Sequence, residues 1–248
     1  GFAVLLISHD LGTVMEVSDR VMVMYAGKIV EDQPARAMLA EPMHPYSKGL
    51  LGAYADPRAD VVEIAYIPGR PPSLIEPGDG CLFAPRCKAA LEKCTTVEPQ
   101  LVPLRAGQAA CHVAEELYAG DAPPAVETAD LGGETFTKEV VGRDAPGAEV
   151  LRVDAVHKQY KRRRGFGVTR VDAVTDVSFG LRAGAVTALV GQSGSGKTTL
   201  ARMVTGVERP DSGAVTFGDL RVDKLSKREL RAYRDHVQMV FQDPFAAL

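Results

Sequence analysis

The sequence predicts an α/β fold, a mixed sheet flanked by helices, from three observations. A short continuous apolar run, "FAVLLIS" at 2–8, breaks off at Ser8-His9-Asp10, and a helix-like segment follows it. A second apolar run, "VTALV" at 186–190, leads through a glycine-rich turn into the helix-like "GKTTLARMVTGV" at 196–207. Runs this short, bounded by turn residues, favour buried strands of a parallel sheet, and their alternation with helices favours α/β packing.

The elements follow in order. In "LGTVMEVSDR" at 11–20, Leu11, Val14, Met15 and Val17 fall near one face, as in a short helix. "VMVMYAGKIVEDQ" at 21–33 reads as a hairpin turning at Ala26-Gly27, where glycine supplies positive φ. Residues 34–112 are rich in proline, which excludes long helices and central strands; a short helix near 46–54 is expected within a compact, loop-held extension. Residues 113–149 are rich in Ala, Gly, Pro, Glu and Asp and read as an acidic flexible linker. Strands are expected at 150–156, around a turn at Ala183-Gly184, at 212–219 and at 236–242. A helix at 226–234 opens on a capping box, Ser226 to Glu229.

The composition, 46% hydrophobic and 25% charged, is that of an ordinary globular protein, and the net charge of -3 gives no general attraction to nucleic acid. The longest apolar runs, such as "AVLLI" at 3–7, are too short to span a bilayer, and no signal-peptide pattern is present. A cytosolic chain is expected, where stable disulfides are disfavoured. The abrupt entry at Gly1 and the close on "VFQDPFAAL" suggest a segment of a longer polypeptide.

The chemistry is carried by "GQSGSGKT" at 191–198, which fits G-x-x-x-x-G-K-[ST] at every position. It follows a strand and opens a helix, the context of a phosphate-binding loop. Gly191, Gly194 and Gly196 permit the tight turn, while Ser193, Ser195 and the loop amides, with the helix N-terminus, face a phosphate chain. Lys197 is expected to reach the β- and γ-phosphates, Thr198 to ligate magnesium, and Thr199 to complete the site. This half of the chain is therefore expected to bind ATP or GTP with magnesium.

Beyond the loop, "GQSGSGKTTLARMVTGVERPDSGAV" resembles the ATP-binding cassette (ABC) ATPases, including the turn from Pro210 to Gly213. "VQMVFQDP" resembles their Q-loop, which implies that Gln242 contacts magnesium and the attacking water and that this region meets a membrane subunit. "HKQY" resembles the segment whose aromatic stacks on adenine, here Tyr160. "LLISHDL" resembles the H-loop, which makes His9 the γ-phosphate contact, and "SDRVMVMYAGKIVE" continues the likeness. "EPMHPYSKGLL" and "IPGRPPSLIEPGDGCLFAPRC" resemble the C-terminal extension of oligopeptide/dipeptide-importer ATPases.

The resemblance implies two head-to-tail cassettes: 1–36 ending the first, 37–112 its extension, 113–149 the linker, and 150–248 opening the second with an antiparallel β subdomain. It implies a peptide-importer ATPase at the cytoplasmic face of the membrane, with permease subunits, an extracytoplasmic solute-binding protein and a cassette–cassette dimer within the fused chain. His9 and Lys197 would then serve different nucleotides. The alternatives are a soluble ABC ATPase acting on nucleic acid or ribosomes, and an iron–sulfur regulatory module with a nucleotide switch. No LSGGQ-like signature and no apolar run ending in Asp-Glu is found, so binding without efficient turnover is expected of the segment.

Two further clusters were weighed. "KRRR" at 161–164 lacks interleaved aromatics and reads as a solvated loop, and His44, followed by proline, as a structural turn. Cys81, Cys87, Cys94 and Cys111 are spaced too widely for a zinc knuckle, which leaves buried free thiols or a [4Fe–4S] cluster. The family resemblance favours the cluster, with Arg86, Lys88 and Lys93 offsetting its charge.

Overall fold

The computed structural model describes residues 2–8, 11–52, 67–75, 77–118, 147–164 and 167–240. In order, they form β1 (Val4–Ile7), α1 (Leu11–Val17), β2 (Arg20–Tyr25), β3 (Lys28–Pro34), α2 (Ala35–Ala40) and α3 (Pro45–Gly52). The extension continues through β4 (Val102–Leu104), β5 (Gly107–Ala109) and α4 (His112–Tyr118). Then come β6 (Glu149–Arg164), β7 (Gly167–Arg182), β8 (Val186–Val190), α5 (Lys197–Val204), β9 (Ser212–Phe217), β10 (Leu220–Arg221) and α6 (Lys227–His236).

Two sheets result. One has six strands in the order β1-β8-β2-β3-β5-β4; the other is an antiparallel set, β10-β9-β6-β7. β8 lies between β1 and β2 and runs parallel to both, so that Leu6 and Val21 both sit opposite Ala188. β8 is a continuous apolar strand, and pairing on both edges leaves none of its backbone groups exposed. The segments that the resemblance assigns to successive cassettes thus share one sheet in this chain.

Alternation along β2 explains the two main cores. Met22 and Met24 face the antiparallel sheet and α5, meeting Val153, Val177, Leu189 and Leu200. Val21, Val23 and Tyr25 face the other way, against Val14, Met38, Tyr46 and Phe83. The side-chain period of two, applied to a strand buried on both sides, makes one six-residue segment central to both layers.

Local chemistry explains the connections. Ala26 and Gly27 both have positive φ, as a two-residue hairpin turn requires. The capping box at Ser226 forms in both directions, with the Glu229 N–H donating to Ser226 Oγ and the Ser226 N–H to Glu229 Oε2. Glu31 on β3 is fully buried and accepts from the N–H groups of Met43 and His44 at 2.7 and 2.8 Å and from Gln33 Nε2 at 2.6 Å. These bonds fix the chain as it enters α3. There His44 Nδ1 accepts from the Tyr46 N–H at 3.0 Å, so His44 forms the structural turn expected of it.

Three expectations change. "KRRR" is not a loop: β6 runs through Arg164 and pairs with β7 along its length, because that hairpin satisfies the backbone whatever the side-chain charge. The linker begins later than residue 113, since α4 buries Ala114 and Tyr118 against Met43 and Cys111; residues 119–146 lie outside the described set. The strand expected at 236–242 is absent over 237–240: the capped α6 runs to His236, and Val240 beyond it is 92% exposed with no strand beside it.

His44 gives this fold a pH signature. Burial pushes its pKa from 6.5 down to about 3. The unfolded chain therefore takes up a proton that the folded chain refuses, so this contribution to stability is complete above 6.5 and is lost as pH falls toward 3. Glu31, whose carboxyl is raised by burial, contributes the opposite slope where it titrates. Thermal melts of wild type and His44→Asn between about pH 4 and 7 are expected to diverge on acidification, the wild type losing midpoint faster. Parallel curves would contradict this assignment.

Candidate functional site

The glycine-rich loop leaves the C-terminal end of β8 and enters α5, at the edge where parallel strands present their ligand-binding crevice. Gly191, Gly194 and Gly196 have φ of 151°, 80° and 106°. A Cβ on Gly191 would lie 2.1 Å from the Met24 carbonyl oxygen, and one on Gly196 would lie 2.3 Å from that of Ala173. At Gly194 nothing lies within 4 Å, so glycine there serves conformation and leaves the loop face open. The hairpin turn supports the loop from behind, with the Gly27 N–H donating to the Ser195 carbonyl at 3.0 Å.

A cleft of about 460 Å³ opens over this loop. Gly191, Ser193, Gly194, Gly196, Lys197, Thr198 and Thr199 line it, as the sequence predicts, and are joined by Ile7, Ser8, Leu74, Val171 and Ala173. Ser195 is buried beneath, and its Oγ accepts from Lys197 Nζ at 3.2 Å. Lys197 Nζ also donates to the carbonyls of Gly191 and Gln192 at 2.7 and 2.8 Å. Its ammonium is thus held over the loop with no carboxylate partner among the described residues, and burial lowers its pKa. The first amides of α5 have no acceptor one turn back, so they too favour an anion.

Ile7 and Ser8 share this cleft with Lys197, so β1 delivers the residues just before His9 to the same phosphate loop. His9 and Gln242 themselves lie outside the described residues. Tyr160 does not line the cleft. Its hydroxyl donates to Glu208 Oε2 at 2.6 Å and also bonds Thr199, while its cross-strand partner Val171 reaches the cleft wall. The roles of Leu74 and Ala173 carried no sequence signal, because each acts by position rather than by chemistry.

Magnesium and the cysteines differ in fit. Thr198 offers a hydroxyl at the cleft, and among the described residues no carboxylate lines it, so a cation there would rest on Thr198 and the phosphates themselves. The expected iron–sulfur cluster finds no support: among the described residues no three His, Cys, Asp or Glu side chains form a metal-holding group. Burial raises the pKa of Cys81 and Cys87 and pushes Cys111 up to about 11, favouring thiols over the thiolates a metal needs. Two of the expected charge-offsetting residues point elsewhere: Lys93 pairs with Glu116 at 2.8 Å, and Arg86 turns toward the loop, its Nη1 donating to Gln192 Oε1.

The loop geometry predicts unequal costs for equal chemical changes. Gly196→Ala is expected to destabilise the fold well beyond Gly194→Ala, which costs about 1–2 kcal/mol for the left-handed backbone alone. Urea unfolding of the two variants checks this, and equal midpoints would contradict it.

Comparison with known proteins agrees with the site. Residues 174–247 match the ABC transporter family, and residues 30–94 match the oligopeptide/dipeptide transporter C-terminal region. The oligopeptide transport ATP-binding protein OppD of Mycobacterium tuberculosis is 36% identical over 255 aligned residues, covering 100% of this chain and 40% of its own length. The glutathione import ATP-binding protein GsiA of Escherichia coli is 32% identical over 248 residues, 99% of this chain and 31% of its own. The dimeric ATP-binding cassette MJ0796, in a post-hydrolysis state bound to ADP and Pi, aligns with 34% of this chain and 34% of its own at 25% identity and a TM-score of 0.30, too slight a likeness to bear on the fold. This chain spans two fifths or less of the curated relatives OppD and GsiA. The chain is thus similar along its length to ATP-binding proteins of ABC transporters, with one segment matching the ABC transporter family and another the oligopeptide/dipeptide transporter C-terminal region.

Proposed function

We propose that this chain is a nucleotide-binding portion of an ABC importer ATPase that couples ATP binding and hydrolysis to uptake of peptides or a related small solute. The observation that carries the reading is the joining, in one fold, of a phosphate-loop cleft with the oligopeptide/dipeptide transporter C-terminal region. That region disfavours the soluble alternative acting on nucleic acid or ribosomes. The match to OppD over the whole of this chain, from the H-loop-like segment through the extension to the phosphate loop, supports a tandem arrangement. It is consistent with 1–36 closing one cassette and 150–248 opening the next, with paired cassettes driving permease subunits fed by an extracytoplasmic solute-binding protein. Among the described residues no helix is long and apolar enough to cross a membrane, which fits a peripheral subunit at the cytoplasmic face.

In this reading the α5 N-terminus and the loop amides receive the β-phosphate. Lys197 exchanges its bonds to the Gly191 and Gln192 carbonyls for phosphate oxygens, so an interaction made within the protein is replaced by a stronger charged one. Thr198 is the protein's ligand for magnesium, which when bound neutralises charge on the phosphates. By the family resemblance Gln242 would position the attacking water at this γ-phosphate and Tyr160 would turn to the base, while His9 would serve the nucleotide of the other cassette. Catalysis of this type rests on positioning and charge rather than on covalent chemistry.

Magnesium–ATP is expected to bind the chain in calorimetric titration, and Lys197→Ala to weaken that binding about tenfold or more. Steady turnover should stay near background, since the signature and acidic motifs of the family are not found in the sequence. Undiminished binding by Lys197→Ala would overturn the assignment of the loop, and brisk hydrolysis would overturn the division of labour between segments.

A further inference from the structure

The extension and the phosphate loop are joined by a buried polar bridge that neither motif accounts for. Arg86 sits in a tight 3-10 turn, Ala84–Arg86, between Cys81 and Cys87, and is only 7% exposed. Its Nη1 donates to Gln192 Oε1 at 3.0 Å and to the Tyr25 hydroxyl at 3.2 Å. Its Nε donates to the Pro68 carbonyl at 2.7 Å, and its Nη2 reaches those of Ile67 and Gly69 at 3.3 and 3.4 Å. From the other side, the Gln192 N–H donates to the Tyr46 hydroxyl at 2.8 Å.

Gln192 is the second residue of the loop, and its side chain does not line the cleft. Both its side chain and its amide are held by the extension, while its carbonyl accepts from Lys197 Nζ at 2.8 Å. A line of hydrogen bonds therefore runs from Arg86 through Gln192 to the ammonium that meets phosphate. Among the described residues, the partners of the Arg86 guanidinium are carbonyls, a phenol and an amide rather than a carboxylate. Its full positive charge therefore adds to the potential of the loop.

We propose that Arg86 is a positioning residue for the phosphate loop, and that with Tyr46 it makes the cysteine-bearing extension a clamp that sets the loop's readiness for nucleotide. The inference rests on the reading of this loop as a phosphate site. The clamp acts before nucleotide arrives. It fixes the loop limb that Lys197 leans on, so the entropy of ordering that limb is not lost again on binding. Its turn is anchored to the cysteines, since the Ala84 N–H donates to the Cys81 carbonyl at 2.9 Å and the Cys87 N–H to the Ala84 carbonyl at 3.1 Å.

The test is amide hydrogen exchange of the segment 191–197 in the chain without nucleotide, beside titration with magnesium–ATP. Gln192→Ala cuts the bridge while leaving Arg86 its carbonyl partners and Tyr25, so the extension keeps its structure. Arg86→Ala cuts it from the other side. Each single variant is expected to speed exchange of the loop and weaken nucleotide binding, both by about fivefold to tenfold. The double variant should be no worse than the poorer single one, because both remove one interaction. Loop exchange unchanged in Gln192→Ala, or effects that simply multiply in the double variant, would overturn the clamp. Lys197→Ala separates the two readings. If it binds nucleotide as well as wild type, the functional reading fails, while the exchange data still decide whether Arg86 positions the loop.

Discussion

The structure depends on the parallel pairing of one five-residue strand. β8, four apolar residues and Thr187, would present unpaired backbone groups along both edges if left alone, a condition a folded chain does not tolerate. β1 and β2 satisfy it. Once they do, the loop after β8 must emerge at the C-terminal edge of three parallel strands. Ser8, just after β1, then reaches the loop from one side, and the β2–β3 turn supports it from behind. The site is thus a consequence of the pairing rather than an addition to it.

Packing explains why the extension is not a passive appendage. Glu31, buried on β3, fixes the entry to α3 through two backbone amides, and so positions Tyr46 against Tyr25 and Phe83. Those three rings form an apolar wall with Arg86 near the faces of Tyr25 and Phe83, each about 5.9 Å away. The guanidinium keeps its hydrogen bonds in that setting because a planar cation can lie against aromatic rings while its edges serve carbonyls. A lysine's three donors diverge from a single nitrogen and could not span partners that Arg86 meets with three.

The readable parts of the sequence were those whose signal is local. The run at 186–190, the glycines after it and the helix that follows specify strand, loop and helix by backbone chemistry alone, and the structure has all three. The Ala26-Gly27 turn and the Ser226 capping box were legible for the same reason. What could not be read was which strand meets which: the alternation of β2 declares two buried faces but not that β8 lies beside it. The length of the β6–β7 hairpin was hidden because "KRRR" carries no apolar period, yet cross-strand bonds hold it. The approach of Leu74 to the cleft and of Arg86 to Gln192 escaped notice because both depend on where distant segments come to rest.

The order of strands in the central sheet also bears on how such a chain is made. Leu6 must wait for Ala188, its partner in register, which a ribosome adds long after Leu6 itself. Until then the edges of β1 and β2 that β8 will cover stand open, apolar and unpaired, the condition under which strands seek wrong partners. Contacts of such long sequence separation slow folding. Assembly of this sheet therefore depends on keeping those strand edges from other partners until β8 arrives.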